Sequence, residues 1–254
     1  MTTSFTLYDI PSTLPNKAWS PNIYKVRYVL NYKGLPHRTE WVEFPHIEEL
    51  YKRLGAKASA TKPDGVTPHY TLPLLHDHST GALVSDSAAI ARYLDRTYPE
   101  TPSVIPKGTD TFHYAFTEGL VSHFRVTALW RINLAKANSI LNPVSEEYYR
   151  RTREASLRLG GKRLEDVVPK GEEREREWAK LKEVFGKVDA WYGKGDRYVM
   201  GDVVSYADFT VSASVMEFRT LFGEDSEEWK DVSAWHGGRW GALVKNLEKY
   251  ETVL

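Results

Sequence analysis

The sequence predicts an α/β domain with a mixed four-stranded sheet, followed by a domain made only of helices. Two observations support this prediction. Short β-rich segments alternate with helical patterns over roughly the first hundred residues, whereas the apolar patterns after residue 109 have helical spacing. Between the halves lies a Pro-rich segment without periodicity, residues 100–108, which we interpret as a linker. The expected domains are therefore residues 1–99 and 109–254.

The first half begins with a strand, a helix and a second strand. Residues 5–10 are short and rich in β-formers, which favours a strand. Residues 22–33 place apolar side chains at helical spacing, and Gly34 provides a helix stop. Residues 37–44 alternate between two faces, as in a strand, and residues 46–55 predict a short helix.

Two more strands and a helix complete this half. Residues 71–77 and 82–86 are predicted strands, and the turn at 77–81 is short enough to make them antiparallel. Residues 87–98 have helical spacing. The predicted order is β-α-β-α-β-β-α, in which a helical crossover favours one parallel strand pair. A mixed sheet covered by helices follows.

The second half carries amphipathic helical stripes. One stripe steps by four residues after Asp110, and another lies opposite a charged run at residues 171–177. We interpret the stripes as packing faces and the charged run as a solvated helix face. A second flexible stretch is predicted at residues 160–171. The main apolar members of the stripes are Phe112, Phe116, Leu120, Phe124, Trp178, Leu181, Phe185, Val188 and Trp191.

The composition of the 254-residue chain excludes several classes of protein. Without cysteine, the chain forms no disulfide, holds no thiolate metal site and has no thiol nucleophile of its own. Lys and Arg total 34, as do Asp and Glu, so no net charge attracts nucleic acid or anionic membranes. No apolar run approaches the roughly 18 residues of a membrane span, and the first residues lack a signal-peptide pattern. We expect a soluble cytoplasmic protein without a nucleic-acid or membrane partner.

The motif Trp19-Ser20-Pro21-Asn22 opens the first predicted helix. Serine is a preferred N-cap and proline suits the first helical position, so the motif has a purely structural interpretation. It also has a functional one, because a hydroxyl beside the free N–H groups and positive dipole of a helix start can stabilise a bound thiolate. The motif alone leaves both interpretations open, and the cap is the simpler one.

Pro73 lies at the head of an apolar strand, where it removes a hydrogen bond from the ladder. A bulge or an edge position is the common explanation for such a proline. A cis Leu72–Pro73 bond is the rarer one. It would turn the N–H and C=O of Leu72 outward, ready to pair with a peptide-like ligand.

Ser85-Asp86-Ser87 stands where the fourth predicted strand meets the third helix. Asp86 or Ser87 can be an ordinary N-cap, which is the simpler interpretation. In a binding site, the serine hydroxyl and the helix N–H groups would hold a carboxylate, and Asp86 would hold an ammonium group. Such a pair suits an α-amino acid.

Ser205-Tyr206-Ala207-Asp208 matches a variant of the capping box, with Ser205 as the N-cap and Asp208 as the third helical residue. Val204 and Phe209 are spaced to form the accompanying hydrophobic staple. We expect this motif to be structural, and we expect loss of the cap to cost on the order of 1 kcal/mol.

Together these motifs resemble those of the cytosolic glutathione transferases. The resemblance covers nearly the whole chain and implies a thioredoxin-like N-terminal domain joined to a helical C-terminal domain, in a homodimer. The stretches TLYDIPSTLPNKAWSPNIYKVRYVLNYKGLP and SDSAAIARYLDRTYP are more specific. They resemble the etherase-related fungal transferases, also called the fungal A class, and more distantly the bacterial lignin β-aryl etherases.

The resemblance implies a role for each motif. Ser20 stands where serine-type classes have the hydroxyl that activates the glutathione thiol, and where the omega class has cysteine. Pro73 stands where the family has a cis-proline, with Leu72 offering its backbone to the cysteinyl part of glutathione. Asp86 and Ser87 stand where the family binds the γ-glutamyl end, although many relatives have Glu in place of Asp86.

Other glutathione contacts are less well specified by the resemblance. Asn22 belongs to the same motif as Ser20 and is a further candidate. His46 and Lys52 are candidates for the glycyl end, although a surface or capping role is the simpler interpretation of His46. Tyr8 matches the tyrosine of the tyrosine-type classes, but Ser20 fits the motif better.

The second substrate is expected between the two halves. Aromatic side chains stack on flat aromatic ligands, and the resemblance suggests lignin- or wood-derived compounds. Each candidate for lining this site is by itself more typical of a core. The candidates are Tyr114, Phe124, Trp130, Met216 and Phe218.

The resemblance implies an enzyme that takes glutathione as its co-substrate and uses no metal. Its thiolate would conjugate an electrophile, cleave an ether or reduce a peroxide. Without a cysteine, the chain cannot form the mixed disulfide of omega-type thioltransferases. The alternatives are a ligandin-type carrier of aromatic compounds and an assembly module, and the absence of a basic region argues against the module.

Overall fold

A computed structural model describes residues 4–62 and 64–254, and its N-terminal domain is built on a four-stranded sheet. The strands are β1 (Phe5–Asp9), β2 (His37–Trp41), β3 (Ala60–Thr61), β4 (Pro68–His69), β5 (Leu74–Asp77) and β6 (Ala82–Ser85). The helices of this domain are α1 (Pro21–Tyr32), α2 (Ile47–Leu54) and α3 (Ser87–Thr97). The order in the sheet is β2-β1-β5-β6, and β3 pairs with β4 in a separate small hairpin.

The sheet is mixed, as the sequence predicts. β1 pairs in parallel with β2 after the α1 crossover, and antiparallel with β5 on its other side. β6 completes the sheet antiparallel to β5. Leu7 and Leu75 lie opposite each other in the β1–β5 register, and both are fully buried. The arrangement of strands and helices confirms the predicted thioredoxin-like domain.

Two strand boundaries differ from the prediction by three residues each, and a proline lies close to both. The predicted strand 37–44 ends at Trp41, and a 3₁₀ turn whose middle residue is proline follows at Phe44–His46. The predicted strand 71–77 begins only at Leu74, directly after Pro73. Proline has no N–H with which to extend a ladder. The β3–β4 hairpin is absent from the prediction, because two residues per strand are too few to show alternation.

The C-terminal domain consists of helices, as predicted. They are α4 (Asp110–Arg125), α5 (Leu129–Ser139), α6 (Pro143–Ser156), α7 (Gly171–Asp189), α8 (Tyr206–Phe222) and α9 (Glu227–Leu247). In α9 the backbone leaves helical geometry at residues 235–238, where Gly237 and Gly238 adopt positive φ angles of 71° and 80°. None of the described helices combines the length and the apolar character that a membrane span requires.

The amphipathic stripes are packing faces only in part. Leu181, Phe185 and Val188 of the α7 stripe are buried, as predicted. Phe112, at the start of the α4 stripe, is 74% exposed, and Trp191 beyond α7 is 42% exposed. Helical spacing identifies residues that share a face, but it does not say whether another element covers that face.

α1 lies between the sheet and α8, and so joins the two domains. Towards the helical domain, Tyr28 stacks on Phe209 with ring centroids 5.4 Å apart, and its hydroxyl donates to Glu251 at 2.9 Å. Towards the sheet, Arg27 pairs with Asp9 of β1, and both side chains are buried. These contacts hold α1 from both sides and fix the position of its N-terminus.

Candidate active site

The first turn of α1 leaves the Ser20 side chain unused. The carbonyl oxygen of Ser20 accepts from Ile23 N–H at 3.1 Å and from Tyr24 N–H at 3.0 Å, but the hydroxyl makes no capping hydrogen bond. Pro21, at the first helical position, has no N–H to satisfy. The purely structural interpretation, in which the hydroxyl is the cap, is therefore wrong for this helix. Ser20 is 8% exposed, and its hydroxyl is free to donate to an anion at the helix start.

The loop that precedes Ser20 is anchored by both domains. Thr13 donates from its backbone N–H and from its hydroxyl to Ile140 O, at 2.8 and 3.0 Å. Trp19 is buried and contacts Phe44, with ring centroids 6.5 Å apart. The segment that leads to Ser20 is thus held by contacts with both domains.

The Leu72–Pro73 peptide bond is cis, which is the rarer of the two explanations that the sequence allowed. Tyr51 of α2 supports this segment by donating its hydroxyl to Thr71 O at 2.5 Å. Leu72 is buried, and neither its N–H nor its C=O has a hydrogen-bond partner among the described residues. Because buried backbone groups are seldom left unpaired, these two are available to a ligand with an amide backbone.

Asp86 caps α3, so the simpler interpretation of this residue is confirmed. Its Oδ1 accepts from Ala88 N–H at 3.0 Å and from Ala89 N–H at 2.9 Å. Asp86 also adopts a positive φ of 75°, which is uncommon for a residue other than glycine. Its Oδ2 takes no part in the cap, which leaves one carboxylate oxygen for an ammonium group.

Ser87 is bonded to the helical domain. The hydroxyl of Tyr206, at the start of α8, donates to Ser87 Oγ at 3.0 Å, and both residues are buried. The predicted capping box of α8 is present, with Ser205 N–H donating to Asp208 at 2.9 Å. The motif that we interpreted as structural therefore also reaches the candidate site, through its tyrosine. The sequence carries no signal for this contact, because Ser87 and Tyr206 are 119 positions apart.

A cavity of about 170 Å³ lies between the N-termini of α1 and α3 and the first turns of α4. Lys25, Arg92, Asp86 and Glu118 line it, and so does His113. Asn22, Ser87, Tyr114 and Tyr206 also line it. Larger cavities occur elsewhere on the described surface, but this one contains side chains of two predicted motifs. Within residues 4–62 and 64–254, no group of three or more His, Asp or Glu side chains is arranged to hold a metal ion.

Lys25 is a buried cation at the side of this cavity. Its Nζ donates to Asn22 Oδ1 at 3.0 Å. Burial lowers the pKa of Lys25, and the nearby carboxylates of Asp86 and Glu217 act in the opposite direction. Nothing in the sequence singles Lys25 out, because a lysine in an amphipathic helix is usually solvated.

Two family models cover most of the chain. Residues 19–97 match the model described as the glutathione S-transferase N-terminal domain. Residues 111–250 match the model described as the glutathione S-transferase C-terminal domain. The chain belongs to the glutathione S-transferase family. This confirms the predicted family, and the co-substrate of this transferase is glutathione.

The transferase is similar along its whole length to solved fungal structures. The glutathione S-transferase CsGST63524 of Ceriporiopsis subvermispora, determined in complex with glutathione, is 47% identical, covers 99% of each chain and superposes with a TM-score of 0.92. GSTFuA3 of Phanerochaete chrysosporium is 40% identical over 98% of each chain, with a TM-score of 0.87. The glutathione S-transferase-like protein ustS of Aspergillus flavus is 32% identical over 266 residues, which is 95% of this chain and 90% of ustS.

Two of the residues predicted to line the second-substrate site lie in the core of the transferase. Phe218 is 0% exposed, and its ring contacts Trp178 and Phe185 of α7. Met216 is likewise buried. Both belong to α8, which other elements cover on nearly all sides. The structure thus gives these two residues a packing role in place of the predicted lining role.

The other three candidates are separated from one another. Phe124 packs edge-on against Phe185, with ring centroids 5.0 Å apart. Trp130 is partly exposed on α5. Tyr114 lines the cavity beside Ser87. The structure therefore does not bring the five aromatic and sulfur side chains together, and the second-substrate site stays a prediction.

The remaining candidates for binding glutathione have different surroundings. His46 is exposed in the 3₁₀ turn and does not cap α2. Lys52 is exposed and pairs with Glu48 at 2.7 Å. Tyr8 is buried in β1, and this burial raises its pKa and keeps the phenol protonated. Of these residues, His46 keeps its side chain available for a ligand.

Proposed function

We propose that this transferase uses the Ser20 hydroxyl to hold glutathione as a thiolate, which attacks hydrophobic, aromatic electrophiles. The observation that carries the proposal is the Ser20 side chain, which stands at the N-terminus of a 12-residue helix without capping it. Because the carbonyl of Ser20 already serves the helix, the hydroxyl proton can point at an anion.

In this proposal, glutathione lies along features of the N-terminal domain. Its γ-glutamyl end is held by Asp86 and Ser87, and its cysteinyl backbone pairs with the N–H and C=O of Leu72. Asn22 flanks the first of these positions, and His46 is the candidate for the glycyl end. The crystal structure of CsGST63524, which is 47% identical, was determined in complex with glutathione, and this supports glutathione as the ligand.

Two contributions are enough to keep the thiol ionised at neutral pH. A free thiol has a pKa near 8.5, and lowering it by about two units requires about 2.7 kcal/mol of preferential thiolate stabilisation. One hydrogen bond to a charged group supplies about 1.5–3 kcal/mol, and a helix N-terminus supplies about 0.3–1 kcal/mol. The thiol proton leaves to solvent, the sulfur forms a bond to the electrophilic carbon, and the leaving group departs with its electron pair. Ser20 stays unmodified throughout.

The test compares turnover of a chromogenic aryl halide with glutathione in the wild type and in Ser20→Ala. We expect kcat/KM to fall about 10- to 100-fold, because one hydrogen bond to the thiolate is lost. The Kd for glutathione should change less than about threefold, because the rest of the tripeptide keeps its contacts. The pH profile of the rate should shift upward as the thiol pKa rises.

An unchanged rate in Ser20→Ala would remove the hydroxyl from the mechanism. The matched control is Ser226→Ala, because the Ser226 hydroxyl does cap its helix, accepting from Trp229 N–H at 3.1 Å. This control should keep its rate. A loss of rate in both variants would point to general destabilisation.

A ligandin-type carrier is the second candidate function, and one surface feature favours it. An apolar groove of about 410 Å³ runs between α4 and residues 191–200. Its aromatic residues include the exposed Phe112, and Trp191, whose ring meets Phe116 edge-on at a centroid distance of 5.5 Å. Flat aromatic compounds stack on such rings, and small-molecule sites commonly span about 300–1,000 Å³.

Dye binding separates the carrier from the enzyme. If the groove binds aromatic compounds, Trp191→Ala should weaken binding of a fluorescent anilinonaphthalene dye while glutathione turnover stays unchanged. Unaltered dye binding would exclude the groove. Tight dye binding by a wild type that turns over no aryl halide, isothiocyanate, peroxide or aryl ether would favour the carrier over the enzyme.

Three further properties belong to the same proposal. We propose a homodimer and a cytoplasmic location, which the resemblance to cytosolic transferases implies, and a division of the chain at residues 100–108, where the sequence is Pro-rich and without periodicity. Light scattering should give twice the mass of one chain.

A further inference from the structure

Three buried cations lie on α1 and on Lys33, the residue directly after it, and two of them are neutralised. Arg27 pairs with Asp9, and Lys33 pairs with Asp95 at 2.8 Å. Lys25 is 9% exposed, and its single hydrogen bond goes to the neutral amide oxygen of Asn22. No carboxylate of the described residues lies within the 4.0 Å that defines an ion pair with Lys25 Nζ.

A buried ammonium group without a counter-charge is unfavourable. It loses its hydration on folding, and a single neutral acceptor leaves two of its three N–H donors unused. The carboxylates of Asp86 and Glu217 lie farther away and offset this cost only in part, so burial still lowers the pKa of Lys25. Such a group is satisfied when an anion from outside the chain enters beside it.

The cavity beside Lys25 has the composition that an α-amino acid requires. Lys25 lines it together with Ser87 and Asp86, at the N-terminus of α3. Ser87 Oγ accepts from Tyr206, so its own proton is free for an acceptor, and Asp86 keeps Oδ2 outside the cap. The cavity has a volume of about 170 Å³, well above what a single water molecule needs.

Arg92, which also lines the cavity, already has an ion-pair partner. Arg92 donates from Nε to Asp110 at 2.5 Å, and its guanidinium lies over the Tyr114 ring, 5.8 Å from the centroid. Lys25 is therefore the cation of the cavity that lacks a carboxylate partner among residues 4–62 and 64–254.

We propose that Lys25 binds the α-carboxylate of the γ-glutamyl residue of glutathione and makes the transferase selective for that group. The inference rests on the proposed function, in which Asp86 and Ser87 hold the same end of the tripeptide. Asp86 receives the α-ammonium group, and Lys25 and Ser87 receive the α-carboxylate. Lys25 is thus a specificity-determining residue contributed by α1, on the same helix as the Ser20 hydroxyl.

The test measures the binding of glutathione and of two tripeptides that each lack one charge. 4-Aminobutyryl-Cys-Gly lacks the α-carboxylate, and glutaryl-Cys-Gly lacks the α-ammonium group. In the wild type, the loss of the carboxylate should weaken binding about 10- to 100-fold, as expected for a charge-assisted hydrogen bond. In Lys25→Met, the preference for glutathione over 4-aminobutyryl-Cys-Gly should fall about tenfold, to the part that Ser87 provides, whereas the preference for glutathione over glutaryl-Cys-Gly should persist.

Folding is checked in the same experiment. Lys25→Met should unfold at the same temperature as the wild type or higher, because it removes an unpaired buried charge. Arg27→Met should unfold at a lower temperature, because it leaves Asp9 unpaired. Lys25→Gln, which can still donate to Asn22, provides a second variant with the same expected loss of selectivity.

The outcomes separate this inference from the proposed function. If Lys25→Met weakens glutathione and 4-aminobutyryl-Cys-Gly by the same factor, Lys25 acts on the structure alone and the inference is wrong. If the wild type does not distinguish these two peptides but binds both, the inference fails while glutathione binding stands. If the wild type binds neither, the proposed function itself fails.

Discussion

The N-terminal turns of α1 and α3 start from similar residues but are completed in different ways. In α3, the Asp86 side chain accepts from two backbone N–H groups, at 3.0 and 2.9 Å. In α1, the Ser20 carbonyl accepts from the helix while its hydroxyl stays out of the cap, and Pro21 removes one donor from the turn. Ser and Asp are both preferred caps. The side chain of a good capping residue can therefore bind a ligand where the first turn of the helix needs no hydrogen bond from it.

The largest effect that tests this comparison is expected at Asp86, where capping and ligand binding are combined. Asp86→Ala should destabilise the protein by about 1–2 kcal/mol and also weaken glutathione binding, because it removes both functions. Asp86→Asn keeps an oxygen that can cap, so its stability should stay close to that of the wild type. Its Kd for glutathione should still rise about tenfold or more, because the negative charge is lost. Denaturant unfolding and calorimetric titration measure the two effects.

The comparison would fail at Asp86 if Asp86→Asn bound glutathione as tightly as the wild type. The carboxylate would then be a cap and nothing more. Equal losses of stability in the alanine and asparagine variants would show that charge, and not the acceptor oxygen, supports the turn of α3.

A smaller effect is expected at Tyr206, which reaches Ser87 from the helical domain. Tyr206→Phe removes the hydroxyl that donates to Ser87 Oγ, so we expect a loss of about 0.5–1.5 kcal/mol in glutathione binding, that is, about 2- to 10-fold in Kd. Tyr28→Phe is the matched control, because its buried hydroxyl also bonds across the domains, to Glu251. Calorimetric titration of both variants with glutathione makes the comparison.

The informative quantity is the difference in the Kd for glutathione between Tyr206→Phe and Tyr28→Phe. Both should lose a similar amount of unfolding free energy, since each loses a buried hydrogen bond. Weakened glutathione binding in Tyr206→Phe alone assigns the tyrosine to the site. The same Kd in both variants would leave Ser87 without a positioning partner.

The smallest effect concerns the stability of Ser20→Ala. Because the Ser20 hydroxyl caps nothing, we expect its removal to change the free energy of unfolding by less than about 0.5 kcal/mol. Ser226→Ala, which removes a hydroxyl that does cap, should cost about 1 kcal/mol. Urea unfolding of the two variants decides the matter. A cost for Ser20→Ala as large as that for Ser226→Ala would mean that the Ser20 hydroxyl does cap α1. The starts of α1 and α3 would then be capped in the same way.

Local features of the site and of the fold could be predicted from the sequence. The mixed sheet follows from strand-like alternation and from a short turn, and the cis bond at Pro73 was one of two explanations for a proline at that position. Ser20 and Asp86 were found because caps are coded within a few residues. Their roles depend on whether the side chain makes a capping hydrogen bond. The local sequence does not determine this.

Features that depend on distant contacts could not be predicted. Lys25 belongs to an amphipathic pattern like any surface lysine, and its burial results from α3, α4 and α8 packing around it. Phe112 and Phe218 both occupy apolar helical positions, but Phe112 is exposed and Phe218 is fully buried. Periodicity assigns a residue to a face, and tertiary packing decides whether that face becomes core, cavity wall or surface.

The two hydrogen bonds of Thr13 limit how far the loop before Ser20 can move. The Thr13 backbone and hydroxyl both hold the carbonyl of Ile140, so the strand-to-helix loop and the corner between α5 and α6 are fastened together. Any separation of the loop from this corner must break both bonds and would move the segment that leads to Ser20. A loop held in this way is expected to keep its position, and with it that of the Ser20 hydroxyl, when a ligand binds.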